Sequence, residues 1–189
     1  MRQRSNILKL RERLKSFHNK ANVGVLGILN VTPDSFFDGG NSFSVEKAIA
    51  KGLELKNEGA EIIDLGGQSS RPGASSVGAN EEWSRIEPVL EGILERDPTA
   101  LISIDTYRSE VAYKAIHAGA SMINDISAGS LDPELLHVVA EADVPYVLMH
   151  MRGRPENMQH NPEYEDVVRE VSDFFLKKTE ELSGLGIKD

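Results

Sequence analysis

The sequence of 189 residues contains no cysteine, so it has neither a disulfide framework nor a thiolate metal site. This agrees with a reducing compartment. No apolar run approaches the roughly 20 residues that a membrane span requires. Positive charge is not in excess either, because the net charge is −9, which argues against a general nucleic-acid surface. The 40% hydrophobic and 27% charged residues that are present are typical of a globular protein of one domain.

The positive charge that the chain does have is concentrated near its start. The first twenty residues carry seven basic side chains and one glutamate, a net charge of +6. Apolar residues recur there at helical spacing: Ile7, Leu10, Leu14 and Phe17. Such a segment is typical of an organelle transit peptide, or of a terminal helix that packs on the domain with its basic face in solvent. We expect the second, with residues 1–22 as a helical extension, because the segment is short and poor in serine.

From residue 23 onward, short apolar strands alternate with amphipathic helices. The predicted strands are residues 23–30, 61–66, 100–105, 121–126 and 145–150, and the predicted helices are residues 45–57, 81–95, 109–117, 133–142 and 163–182. Ser109 and Asp132 are predicted N-caps, Gly59 and Gly119 are predicted to end helices, and Pro88 is predicted to interrupt one. The alternation predicts an α/β fold with about five right-handed βαβ units and a parallel sheet.

Every predicted strand ends in a polar side chain: Asn30, Asp64, Asp105, Asn124 with Asp125, and His150. In parallel barrels and in open doubly wound sheets, ligands bind at the carboxyl ends of the strands. A single residue of this kind is more often a cap or a turn residue. Five strands that all end this way indicate a ligand site at one end of the sheet.

The loops after the first two strands predict a site for a phosphorylated ligand. The side-chain oxygen of Asn30 suits Mg²⁺, which takes much of its remaining shell from water and substrate phosphates; the alternative is an amide that caps the loop. Residues 66–73 follow the second strand and combine glycines, two hydroxyls and Arg71. Backbone N–H groups and a guanidinium suit a phosphate or pyrophosphate, whereas the alternative is a merely flexible loop.

The next strand ends predict a site for a planar ring. Asp105 and Asn124 should lie on neighbouring strands, where a carboxylate beside an amide can read the donor and acceptor edge of a heterocycle. The alternative is a mutual hydrogen bond between them. Met149 suits the flat apolar face of such a ring. We expect His150 to be structural, because nothing near it in the sequence indicates a catalytic triad.

Five motifs in this order resemble the dihydropteroate synthase family, folate-biosynthesis enzymes of the pterin-binding barrel superfamily. They are GILNVTPDSFFDGG at 27–40, DLGGQSSRPGA at 64–74, SIDTYRSEVA at 103–112, INDISAG at 123–129 and VLMHMRGRPENMQ at 147–159. The resemblance implies a (β/α)8 TIM barrel, of which residues 23–189 would supply about the first five βα units. It also implies that 6-hydroxymethyl-7,8-dihydropterin diphosphate condenses with p-aminobenzoate to give dihydropteroate and pyrophosphate.

Site roles follow from the same resemblance. Asn30 would bind Mg²⁺ on the diphosphate, and Asp105, Asn124 and Met149 would hold the pterin. The remaining implied residues all lie in the first two loops: Ser70 and Arg71 near the leaving diphosphate, Phe37 and Pro72 near p-aminobenzoate, and Asp34 and Asp38 as catalytic groups that stabilise positive charge on the pterin methylene.

The chain departs from the family pattern in three residues and in length. Ser70, Gln68 and Phe37 replace the family's more common Thr, Glu and Ser, and the anion-binding and pterin-reading residues of the later strands are absent. We therefore expect residues 1–189 alone to lack synthase activity. The alternatives are a non-catalytic fragment that binds pterin or a partner, and a pterin-dependent methyltransferase, against which the diphosphate-type loop argues. The resemblance further implies a cytoplasmic enzyme and a homodimer in the full-length protein.

Overall fold

The computed structural model describes residues 2–17, 23–32, 45–68, 77–154, 157–158 and 162–187. Within these ranges the elements are, in chain order, α1 (Arg2–Ser16), β1 (Leu26–Asn30), α2 (Val45–Asn57), β2 (Ile62–Gly66), α3 (Ala79–Arg96), β3 (Leu101–Asp105), α4 (Ser109–Ala118), β4 (Met122–Asp125), α5 (Glu134–Ala142), β5 (Tyr146–Leu148) and α6 (Val167–Gly184). Strand and helix alternate from β1 onward, which confirms the predicted α/β organisation.

The five strands form one parallel sheet in the order β1-β2-β3-β4-β5. Successive side chains of a strand point to opposite faces, so the register between strands sorts them into two sets. One set faces the helices. The other set, which we call the inner face, consists of Leu26, Ile28, Asn30, Ile62, Asp64, Gly66, Leu101, Ser103, Asp105, Met122, Asn124 and Val147.

The helix-facing set forms the main hydrophobic core. Leu29, Leu65, Ile102, Ile104 and Ile123 are buried there against apolar residues of α2, α3, α4 and α5. These strand residues are almost all β-branched or leucine, as expected for a parallel sheet covered by helices. Burial of this face therefore supplies most of the hydrophobic free energy of folding.

Helix α1 covers the amino end of the inner face. Leu10 is fully buried and packs with Ile62, Leu101 and Met122. The side-chain amide of Asn6 donates to the carbonyl oxygen of Pro98 at 3.2 Å. Of the two alternatives for the N-terminal segment, the structure therefore shows a terminal helix that packs on the domain. The domain boundary predicted at residue 22 stays a prediction. The carboxyl end of the inner face is not covered by the described residues, and Ile28 of β1 is 67% exposed.

Local sequence rules succeed at the helix ends that glycine sets. Gly59 and Gly119 follow α2 and α4 with φ of +114° and +115°, as predicted. The residue after each, Ala60 or Ala120, donates its N–H to a carbonyl five residues earlier, at 2.9 Å in both cases. The same unit is therefore built twice, and both times a left-handed glycine turns the helix back toward the next strand.

Three other local predictions are wrong. Helix α3 runs through Pro88 without interruption, because Ile86 and Leu90 on either side are fully buried in the core. Ser109 is the first residue of α4 and not its N-cap, and Asp132 does not cap α5. Instead, the carboxylate of Asp132 accepts from the N–H of Ser109 at 2.7 Å. Tertiary contacts thus outweigh the local signals, which contribute less free energy.

Candidate functional site

The carboxyl ends of the first four strands place a row of residues side by side on the inner face. In the sheet register Asn30 pairs with Gly66, Gly66 with Asp105, and Asp105 with Asn124. Neighbouring members are about 4.8 Å apart across the sheet. We call these four residues the polar row. The structure therefore brings together Asn30, Asp105 and Asn124, three of the predicted site residues.

Gly66 leaves the space in which two members of the polar row approach each other. A Cβ atom added at Gly66 would lie 3.2 Å from Oδ1 of Asn30 and 3.4 Å from Oδ2 of Asp105. Asn30, predicted to bind the metal, and Asp105, predicted to bind the pterin, thus both lie beside Gly66. From the sequence, Gly66 is predicted only as part of a loop that binds an anion. The signal that could have revealed its spacing role is the glycine pair directly after a strand.

Asn124 is oriented by a residue to which sequence analysis assigned no ligand role. Its Nδ2 donates to Oδ2 of Asp64 at 3.0 Å. Asp64 lies one inner-face layer below the polar row, beside Ser103 in the sheet register. The alternative of a mutual hydrogen bond between Asp105 and Asn124 is not seen within the described part of the chain. Asn124 therefore keeps its carbonyl oxygen and one N–H for other partners.

Asp105 lies in a strongly acidic setting. Burial, together with the negative charges of Asp64, Glu82 and Asp125, raises the pKa of Asp105 from 3.8 to about 7. Near neutral pH, Asp105 is consequently divided between the carboxylic acid and the carboxylate. It can accept hydrogen bonds in one form and both donate and accept in the other.

A buried ion pair supports the segments around the polar row. Glu82 of α3 is only 1% exposed and pairs with Arg108, which follows β3. Arg108 also donates to the side-chain oxygen of Gln68 at 2.7 Å and to the carbonyl oxygen of Val77. Burial raises the pKa of Glu82, although hydrogen bonds to Thr106 and Arg108 oppose the shift. Nothing in the sequence indicates this pair, because a glutamate near a helix start normally faces solvent.

Asp125, also at a strand end, is structural. It points to the helix side and is fully buried. Its carboxylate accepts from the N–H groups of Ser127 and Gly129 and from the hydroxyl of Tyr146, each at 2.7 Å. Burial, and after it the nearby carboxylate of Asp125, raises the pKa of Tyr146. For this residue the turn-forming alternative therefore describes the structure.

The fifth strand places Met149 and His150 just beyond its end. Both residues are half-buried. The ring of His150 meets Phe174 of α6 edge-on, with ring centres 4.8 Å apart. This contact supports a structural role for His150. The role of Met149 against a ring stays a prediction.

Six predicted site residues lie outside the described residues: Asp34, Phe37, Asp38, Ser70, Arg71 and Pro72. Their roles stay predictions. Within the described ranges, no group of three or more acidic or histidine side chains could hold a metal ion. The exposed side chain of Asn30 has no hydrogen-bond partner there, and its oxygen suits an ion that takes its other ligands from water and phosphate.

The comparison with known families decides the assignment. A family model described as pterin binding enzyme matches residues 26–189, which is most of the chain. The chain belongs to the pterin-binding enzyme family. This confirms the family that the five motifs predicted. The polar row lies at the carboxyl ends of the strands, which is the end where parallel barrels bind ligands.

Individual members of the pterin-binding enzyme family are closely similar to the chain. It is 48% identical over 151 residues to the dihydropteroate synthase of Synechocystis sp., covering 80% of this chain and 52% of that protein. It is 47% identical over 185 residues to the mitochondrial folate synthesis bifunctional protein of Arabidopsis thaliana, covering 95% of this chain and 33% of that protein.

A solved structure of the same family gives the fold. The dihydropteroate synthase of Xanthomonas albilineans with 4-aminobenzoic acid matches with a TM-score of 0.79 at 45% identity, over 87% of this chain and 57% of that one. The chain thus spans about half the length of the dihydropteroate synthases that it matches. The five βα units correspond to part of a TIM barrel, as the sequence predicted.

Proposed function

We propose that the chain forms the pterin- and diphosphate-binding part of a dihydropteroate synthase. The reaction joins 6-hydroxymethyl-7,8-dihydropterin diphosphate to p-aminobenzoate, gives dihydropteroate and releases pyrophosphate. The observation that carries the proposal is the polar row, in which Asn30, Asp105 and Asn124 share one end of the sheet in a member of this family.

The two ends of the polar row suit the two ends of the substrate. Asp105 and Asn124 offer acceptors and donors for the amino and ring N–H groups of the pterin, with Met149 against the ring face. Asn30, at the other end, would hold Mg²⁺, which neutralises charge on the diphosphate. Gly66 keeps the two ends adjacent, because it has no side chain. The pterin methylene that links ring and diphosphate would therefore lie over Gly66.

The chemistry then needs little proton transfer. The C–O bond between the methylene and the diphosphate breaks, and its electron pair leaves with pyrophosphate. The amine of p-aminobenzoate forms the new C–N bond and loses a proton. Ser70 and Arg71 would stabilise the departing anion, while Asp34 and Asp38 would stabilise positive charge on the methylene. Phe37 and Pro72 would contact p-aminobenzoate.

Location and assembly are further proposals. Of the helices that the structure describes, none has the length and apolar character needed to cross a membrane. We propose a cytoplasmic enzyme that forms a homodimer in its full-length form. The packing of Leu10 and Leu14 against the sheet supports a structural role for α1 over a cleaved import signal. Import into an organelle is the alternative, since the similar Arabidopsis thaliana protein is named as mitochondrial.

Calorimetry tests the proposal on the purified 189-residue chain. We expect it to bind the pterin diphosphate, with an affinity that rises about tenfold in Mg²⁺, because Asn30 would hold an ion that neutralises charge on the diphosphate. The variant Asn30→Ala should lose the Mg²⁺ effect. The variant Asn57→Ala, at the end of α2, is the matched control and should keep it.

The possible results are distinguishable. A folded chain, by circular dichroism, that binds no pterin diphosphate would contradict the proposal. Pterin binding with an unchanged Mg²⁺ effect in Asn30→Ala would reject only the metal-binding role of Asn30. We expect no synthase turnover from this chain, because it spans only about half the length of the synthases that it matches. Turnover by the purified monomer would overturn that expectation.

A further inference from the structure

Asp64 occupies an unusual position below the polar row. It lies on the inner face of β2 and is only 5% exposed. Its Oδ2 accepts from Nδ2 of Asn124, two strands away, at 3.0 Å. Its other oxygen, Oδ1, is buried and has no hydrogen-bond partner among the described residues. A buried carboxylate with an unpaired oxygen costs free energy, so its presence on the inner face calls for a reason other than stability.

Direct contact with a ligand is not that reason. Oδ1 of Asp64 is shielded from solvent, so a molecule in the open end of the barrel cannot reach it. Oδ2 is already occupied by Asn124. The effect of Asp64 on a ligand must therefore pass through its neighbours.

Asn124 is the neighbour on which Asp64 acts directly. A side-chain amide has a donor end and an acceptor end, and rotation by half a turn exchanges them. Because Oδ2 of Asp64 accepts the hydrogen bond, the donor end of Asn124 must face Asp64. The carbonyl oxygen of Asn124 is then available to a ligand beside Asp105, its partner in the sheet register.

We propose that Asp64 is a positioning residue, which fixes the amide of Asn124 so that its oxygen, together with Asp105, accepts from a ring edge rich in N–H donors. The pterin as the particular ligand rests on the proposed function. The positioning itself depends only on the contact between Asp64 and Asn124. Asp64 thereby determines specificity for aminopyrimidine-type edges over edges that offer only acceptors.

The first test needs no ligand. In the 189-residue chain, the side-chain N–H signals of Asn124 are followed by NMR. We expect their exchange with solvent to be at least tenfold faster in Asp64→Ala, which has no acceptor, and intermediate in Asp64→Asn, whose amide can face either way. Backbone signals of β2, β3 and β4 report whether the fold is kept. Unchanged exchange of the Asn124 side-chain N–H groups in a folded Asp64→Ala variant would overturn the proposal. If Asp64→Ala does not fold, unchanged exchange in Asp64→Asn would overturn it.

The second test measures the consequence for binding. The probe is 6-hydroxymethylpterin, followed by calorimetry. We expect Asp64→Asn to bind about tenfold more weakly, and to have no further effect in an Asn124→Ala background, since both changes remove the same acceptor. Full affinity in Asp64→Asn would overturn the specificity role. If the unmodified chain binds no pterin, the proposed function fails, while the NMR result still decides the positioning role.

Discussion

The two faces of the sheet differ in what their residues contribute, although they alternate along the same strands. On β3, Ile102 and Ile104 face the helices and are fully buried. Between and after them, Ser103 and Asp105 face the inner side. There the buried hydroxyl of Ser103 has no hydrogen-bond partner among the described residues, and the pKa of Asp105 is raised. The helix-facing side stabilises the fold, whereas the carboxyl end of the inner face holds polar groups at a cost in stability.

Because successive residues of a strand point to opposite faces, a residue needed for folding and a residue needed for binding can be direct neighbours in the sequence. The helix-facing residues are interchangeable apolar groups whose value lies in their buried area. The inner-face residues are specific groups held near one another by the register. Variants on the helix-facing side should therefore change mainly the stability of the fold. Variants of the polar groups on the inner face should change mainly ligand affinity and the pH dependence of stability.

The largest expected effect concerns Asp105. Its pKa of about 7 in the folded chain exceeds the ordinary 3.8, so the folded chain binds an extra proton between these values. Its contribution favours the folded state at pH 4 and is lost as the pH rises toward 7. We expect Asp105→Asn to match the unmodified chain at pH 4 and to exceed it at pH 8 by up to about 4 kcal/mol. Urea unfolding at both pH values measures this.

Asp97 provides the matched control outside the inner face. A hydrogen bond from Lys56 lowers the pKa of Asp97 to about 2, with help from Thr99. Ionised Asp97 therefore stabilises the fold above pH 4, and that stability is lost as the pH falls toward 2. Asp97→Asn should cost about 1 kcal/mol at neutral pH, since the ion pair is close to solvent. If the two variants showed the same pH dependence, the contrast between the faces would be wrong.

The second prediction compares two isoleucines. Ile104 faces the helices and is fully buried, whereas Ile28 lies on the inner face and is 67% exposed. Ile104→Ala should destabilise the chain by about 3 kcal/mol through lost burial and a cavity. Ile28→Ala should change stability by less than about 0.5 kcal/mol. Thermal unfolding of both variants tests the pair, and equal losses would show that the inner face is packed at Ile28 as well.

Much of this arrangement is predictable from the sequence. The period of apolar residues predicts the strands, and the polar residues that follow predict which end of the sheet binds ligand. Residues such as Asn30, Asp105 and Asn124 could be named because a parallel sheet brings all carboxyl ends to one edge. Gly59 and Gly119 could be named because a left-handed turn favours glycine.

The remaining features depend on contacts between distant segments. Nothing near Asp64 in the sequence indicates that it bonds Asn124, sixty positions away. In the sequence, Glu82 is an ordinary glutamate in the first turn of a helix, and only the structure shows that it is buried and pairs with Arg108. Pro88 predicts a helix break, but the buried side of α3 outweighs the lost hydrogen bond. Registers and side-chain partners of this kind are fixed by tertiary packing, which no local pattern encodes.

The smallest expected effect distinguishes two adjacent glycines at the end of β2. In Gly66→Ala the nearest atoms to the new Cβ would all belong to side chains: Oδ1 of Asn30 at 3.2 Å, and Cβ and Oδ2 of Asp105, each at 3.4 Å. Because Asn30 is exposed and can move, we expect a stability loss of under about 1 kcal/mol but roughly tenfold weaker binding of pterin diphosphate.

In Gly67→Ala the Cβ would lie 2.8 Å from the backbone oxygen of Glu82, which cannot move aside. That variant should lose about 1–3 kcal/mol of stability. Calorimetry and urea unfolding of both variants measure the difference. Unchanged affinity in Gly66→Ala would mean that the distance between Asn30 and Asp105 does not limit binding. The presence of these polar side chains on the inner face would then be sufficient for binding.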